Sequence, residues 1–187
     1  MLFRTLLGTC AASCLLLQNA GAVTLPPDGQ WNAFDVDSLS ASSGGTEWID
    51  IGNGQSLHFT FDVGAGLLGN LTVVDAGFAG DSFKVYNGAQ LLGATSTPTD
   101  SYPSAVGTDF DAALADPAYS RRSFQLVAGH YDITGALDRS ALIGGVAYNA
   151  TVGAIRLSVS AVPEPANAAL LLAGLALVGM KLNRRRI

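Results

Sequence analysis

Carboxylates are the side chains best equipped for chemistry in this sequence. They occur as two Asp-x-Asp pairs, Asp35-Val36-Asp37 and Asp109-Phe110-Asp111, and as Asp75 and Asp81 around Gly77 and Gly80. Alternate residues of a strand share a face, so an Asp-x-Asp pair in a strand offers two oxygens to one hard cation. The Asp75–Asp81 loop returns on itself through its glycines, which makes these two the preferred Ca²⁺ ligands. No EF-hand spacing follows any of the pairs, and the competing expectation is solvated loop acids on an acidic surface. Catalysis has less to draw on. His58 and His130 are the only histidines, and there is no Gly-x-Ser-x-Gly elbow and no His-Glu-x-x-His pair. Glu47 is the sole glutamate between Val23 and Ala161. That excludes a two-glutamate glycosidase, although aspartates could substitute. The expectation is a protein without catalytic residues or a resident cofactor.

A sugar-binding role would rest on aromatic rings. Trp31, Trp48, Tyr86, Tyr102, Tyr119 and Tyr131 could stack on the apolar faces of sugars if exposed, and they fill cores if not. The net charge of Val23–Ala161 is −9, from 14 acidic and 5 basic residues. Such a surface repels phosphate backbones, so nucleic acid is excluded as a partner.

The elements that must hold these residues read as strands. Gln55–Val63 alternates Leu57, Phe59, Phe61 and Val63 with polar neighbours, the period of a half-buried sheet. Trp31–Leu39, Glu47–Ile51, Asn70–Asp75 and Asp81–Asn87 follow suit. Asn87-Gly88 turns the chain into Gln90–Thr95, as a tight hairpin does. Thr97–Gly107 reads as a loop and Thr108–Ala115 as one or two helical turns stopped before Pro117. Ser123–Val127 and His130–Thr134 look like a second hairpin across Ala128-Gly129, and Ala154–Ala161 is the last strand. Short strands with glycine turns and little helix predict an all-β, two-sheet antiparallel sandwich, jelly-roll-like in course.

The two ends carry addresses rather than fold. Residues 1–22 hold Arg4, the apolar run Leu6–Leu17 and the small-x-small triplet Ala20-Gly21-Ala22, the pattern of a secretory signal peptide cut after Ala22. Both cysteines, Cys10 and Cys14, fall within it, so Val23–Ala161 can form no disulfide. Residues 162–187 begin with Val162-Pro163-Glu164-Pro165. The fifteen residues Ala166–Met180 follow, about 22 Å long as a helix and short for a bilayer core. Lys181, Arg184, Arg185 and Arg186 come last. They can snorkel to make up the length, and as a stop-transfer cluster they keep the tail cytoplasmic. Two prolines around Glu164 hold it extended and outside the following helix, a rigid handle for a protease.

This ordered tail resembles the PEP-CTERM (VPEP) sorting signal of Gram-negative bacteria. The resemblance covers Val162–Arg186 and consists of the motif, the short apolar span and the arginine cluster in that order. It implies an exosortase as partner and an association with exopolysaccharide and biofilm. It also implies a route: export through the inner membrane, transient anchoring there with residues 23–161 in the periplasm, then the cell surface or the extracellular space. The leading functional expectation is therefore an exported surface or extracellular-matrix protein. The alternatives are a carbohydrate-binding module acting on the producer's polysaccharide and, behind it, a secreted hydrolase.

Overall fold

Hydrophobic alternation becomes a wrapped sheet. The computed structural model describes residues 21–162 and 174–175. The expected signal peptide up to Ala20, the motif residues Pro163, Glu164 and Pro165, the apolar span except Gly174 and Leu175, and Lys181, Arg184, Arg185 and Arg186 lie outside the described residues. Among those described, no helix is long and apolar enough to cross a membrane.

In chain order the strands are β1 (Gly21–Thr24), β2 (Asn32–Asp37), β3 (Ile49–Asp50), β4 (Gln55–Val63), β5 (Leu67–Asp75), β6 (Gly77–Phe78), β7 (Ser82–Asn87), β8 (Gln90–Ala94) and β9 (Ala105–Gly107). The helix α1 (Phe110–Ala115) precedes β10 (Arg121–Leu126), β11 (Gly129–Arg139), β12 (Leu142–Ile143), β13 (Val146–Ala147) and β14 (Ala150–Ala161). Two half-sheets, β10-β5-β14-β2 and β4-β11-β7-β8, are joined through the two-residue β3. Strand β1 adds to β4 in parallel, spanning the expected cleavage position at Ala22. The main ladders are otherwise antiparallel. Hence the antiparallel all-β expectation holds, with the two halves forming one nearly closed sheet.

The inward residues of both halves meet in one core. Leu57, Phe59, Phe61 and Val63 of β4 face Leu71 and Val73 of β5, Phe83 and Val85 of β7, and Ile155 and Leu157 of β14. Each large apolar side chain fully buried here contributes about 1.5–3 kcal/mol. Trp48 sits at the centre, stacked on Phe34 at 3.9 Å between ring centroids and edge-on to Phe83 at 6.1 Å. Its indole lies directly against the backbone of Gly135, where a Cβ would collide with the ring. A second cluster forms outside the wrap, where α1 covers Val74, Ala76 and Ala154. Asp109 caps that helix by accepting the Ala112 N–H at 3.0 Å.

The expected second hairpin needs correction. Strands β10 and β11 are no hairpin: β10 pairs with β5, whereas β11 pairs with β4 and β7. The link Val127-Ala128 steps from one half-sheet to the other, and the Tyr131 hydroxyl pins it by donating to the Val127 carbonyl at 2.8 Å. Alternation identifies a strand but not its partner. Both faces of β5 are covered at its end, where Val74 is fully buried because α1 packs over it, and Ser82 at the start of β7 is buried as well.

Candidate functional site

The register sorts the molecule into two poles. Ala150 pairs with Asp37 at one end of β14, and Ala161 pairs with Leu67 at the other, about 36 Å away along the strand. At the Asp37 pole lies a hollow of about 260 Å³. Its floor is Val152 and Thr151 of β14, one wall is Asp35 and Asp37 of β2, and the other is the excursion from Ala141 to Tyr148. Phe78 and Ile51 complete an apolar lining, and Tyr148 is 56% exposed at the rim.

Asp75 and Asp81 stand behind and beside this hollow. They are brought together as the sequence suggests, but in the interior: they are 0% and 2% exposed. Asp75 accepts the Asp81 N–H at 3.3 Å and the Thr151 hydroxyl at 3.3 Å. Asp81 accepts the Ala141 N–H at 2.9 Å and so anchors the wall of the hollow. Gly80 lets that wall approach. Its φ is +144°, and a Cβ there would lie 2.7 Å from the Ala141 Cβ. Burial, reinforced by the neighbouring Asp81, raises the Asp75 pKa to about 9, and burial raises that of Asp81 to about 6. Asp75 therefore holds its proton at neutral pH. These residues are not the solvated loop acids of the competing expectation. Ca²⁺ takes six to eight oxygens, so at this pair it would have to displace a proton and recruit most ligands from backbone and water. Among the described residues, no group of three or more His, Cys, Asp or Glu side chains converges on a metal-sized site.

The Asp-x-Asp pairs part company. Asp35 and Asp37 do share the outer face of β2, with Val36 buried between them. Burial, then Asp50 and Asp37, raises the Asp35 pKa. Asp37 lies lower than usual because it accepts the Ser40 hydroxyl at 2.6 Å and the Leu39 N–H at 2.9 Å. Asp109 and Asp111 belong to a helix, not a strand, so they present no common pair of oxygens. Asp111 instead accepts Trp31 Nε1 at 3.0 Å, beneath an Arg156 guanidinium that lies 4.2 Å from the Trp31 ring.

The histidines form cross-strand pairs on the outer face of β4 and β11. His58 Nδ1 is 2.9 Å from Asp132 and His130 Nδ1 is 3.0 Å from Asp62. A larger hollow of about 400 Å³ lies beside His58 and is also lined by Ser56 and Glu47. Ser56 donates to Glu47 at 3.4 Å. It sits two residues from His58 on the same face, about 7 Å away along the strand, beyond nucleophile–base hydrogen bonding. The aromatic platform also dissolves: Trp48, Tyr119 and Tyr131 are buried, and Tyr102 is the most exposed of the six named in the sequence. Tyr148 and Phe78, at the hollow, were missed because neither lies in a periodic or charged pattern.

No family model and no curated protein matches the chain. Among solved structures it is similar to the pre-peptidase C-terminal domain of a collagenase from Bacillus anthracis, at 8% identity and a TM-score of 0.36. The alignment covers 75% of this chain and 96% of that one. At that distance the likeness carries no argument about function.

Proposed function

We propose that this chain is an exported surface or extracellular-matrix protein of a Gram-negative bacterium, held briefly at the inner membrane and processed by an exosortase at its Pro-Glu-Pro motif. It is a non-enzymatic, jelly-roll-like β-sandwich followed by a transmembrane helix, and it works alongside exopolysaccharide in a biofilm. One observation supports this reading most. Strand β14 stays paired to β5 through Ala161, and the Val162 N–H still donates to the Gly66 carbonyl at 2.9 Å. The fold thus reaches the first residue of the motif, and Pro163-Glu164-Pro165 follows next in the sequence, ahead of the apolar span. Deleting residues 163–187 should move the protein from the membrane fraction to the soluble one. Retention in the membrane without them would contradict anchoring by that segment.

A second reading is favoured by the hollow at the Asp37 pole, where Tyr148 and Phe78 supply rings and Asp35 and Asp37 supply hydrogen-bond acceptors. That combination suits a sugar hydroxyl array, which makes the producer's own polysaccharide the natural ligand. A polysaccharide pull-down with wild type and Tyr148→Ala separates the cases. Retention lost in the variant supports sugar binding here, and equal retention or none counts against it.

A further inference from the structure

The pole opposite the acidic hollow is built from three chain segments that converge on Gly69. That residue pairs with Leu126 of β10 and with Val159 of β14, and a Cβ on it would lie 2.9 Å from the Val63 side chain. The β4–β5 turn, the β10–β11 link and the end of β14 therefore form one rim. Its tip is apolar: Val127 is 69% exposed, Val162 48% and Leu67 37%, with Ala65 and Ala128 beside them, while the exposed polar residues Asn70, Gln125, Ser158 and Ser160 and the Asp62–His130 pair stand behind it. From Val63 to Asn70, from Ser123 to Gly129 and from Leu157 to Val162 the chain carries no charge. The other pole also exposes apolar residues, among them Val146 at 70%. There, however, they stand among Asp35, Asp37 and Asp50, which an anionic lipid surface repels.

We infer that the uncharged rim of Leu67, Val127 and Val162 seats on the lipid interface of the bilayer that holds the apolar span. This rests on the anchoring reading above. Val162, the last described residue before the apolar span, lies on this rim, and Ala166 follows it by four residues, at most about 14 Å of extended chain. A rim that close to the headgroups, apolar at its tip and with its nearest acid, Asp62, paired to His130, gains by withdrawing those side chains from water, as interfacial apolar residues do. The acidic hollow then points away from the membrane. Cleavage of the tail removes the tether, and the rim, too small to hold alone, lets go.

The test uses Val23–Ile187, which contains no cysteine, inserted into vesicles of phosphatidylcholine and phosphatidylglycerol, with one environment-sensitive fluorophore at Val127→Cys or Val146→Cys. These two sites are matched in exposure. At position 127 the emission should shift to the blue and be lost to a lipid-borne quencher, while at position 146 it should stay as in water. Flotation of the vesicles reports the anchor separately. If the protein floats and position 127 stays wet, the seating is wrong and the anchor stands. If the protein does not float, both fail. Quenching at position 146 in place of 127 would reverse the orientation and overturn the inference.

Discussion

Arg122 Nη1 donates to the Ala94 carbonyl at 2.9 Å, across the one seam where the sheet does not close by its own ladder. Strand β8 and strand β10 are the ends of the path, and open ends invite pairing with another chain. Arg122 and the adjacent pair formed by Ser96 and Arg121 occupy that gap. The Ser96 N–H donates to the Arg121 carbonyl at 3.1 Å, and the Arg121 N–H returns a bond to the Ser96 hydroxyl at 3.0 Å. The seam is closed by one backbone bond and by side chains rather than by a regular ladder.

Arg122→Ala should therefore cost about 1 kcal/mol, the worth of a hydrogen bond at a partly solvated site. The more telling outcome is local. Backbone amides of β8 and β10 should exchange faster in hydrogen–deuterium measurements while those of β4 and β11 keep their protection. Unchanged exchange at β8 and β10 would show that Arg122 does not close the seam.

Asp75 sets the pH response. Its folded pKa of about 9 and that of Asp81, about 6, both lie above the ordinary carboxylate value, so the fold holds protons that the unfolded chain has already released. Stability is then fullest below about pH 4 with respect to these groups and falls as pH rises, Asp81 contributing up to about pH 6 and Asp75 up to about pH 9. The fall is at most about 1.4 kcal/mol per pH unit for each group. Asp75→Asn keeps the shape and removes the charge. Thermal unfolding across pH 6 to 9 should decline in wild type and stay level in this variant. Parallel declines would mean that Asp75 is ionised throughout.

Gly135 is required by Trp48. The indole rests on the bare backbone of β11, and any Cβ there must push the largest ring of the core away from Phe34. Gly135→Ala should cost about 1–3 kcal/mol by overpacking and should shift the tryptophan fluorescence. Denaturant unfolding read by tryptophan emission in a Trp31→Phe background checks both, and a variant as stable as its parent would mean that the ring has room to move.

Much of the barrel wall could be read from residue pattern. Gln55–Val63 has the same bounds in sequence and structure, and Asn87-Gly88 turns β7 into β8 as read. Phe110–Ala115 is helical within the stretch assigned from Asp109 and Pro117. These signals are local, fixed by side-chain period, turn chemistry and caps. What failed was non-local. Nothing in Ser123–Thr134 tells that Leu126 meets Gly69 while Gly129 meets Val63. Likewise, Asp75 looks like a loop acid in sequence, and only the approach of Asp81 and of Thr151 on β14 to the end of β5 makes it a buried, protonated group. The hollow escaped notice for the same reason, since Asp35, Phe78 and Tyr148 come from three distant segments.

The Val162 N–H still bonds to the Gly66 carbonyl, at the first residue of the proposed sorting motif, so on the proposed reading removal of the tail should leave the domain intact. Intact-mass spectrometry of the protein from cells with and without an exosortase tests this most directly. With the enzyme, the expected product begins at Val23, ends at or near Pro163–Pro165 and lacks Ala166–Ile187. Without it, the tail should remain. A full tail in cells that carry the enzyme would contradict processing at this site.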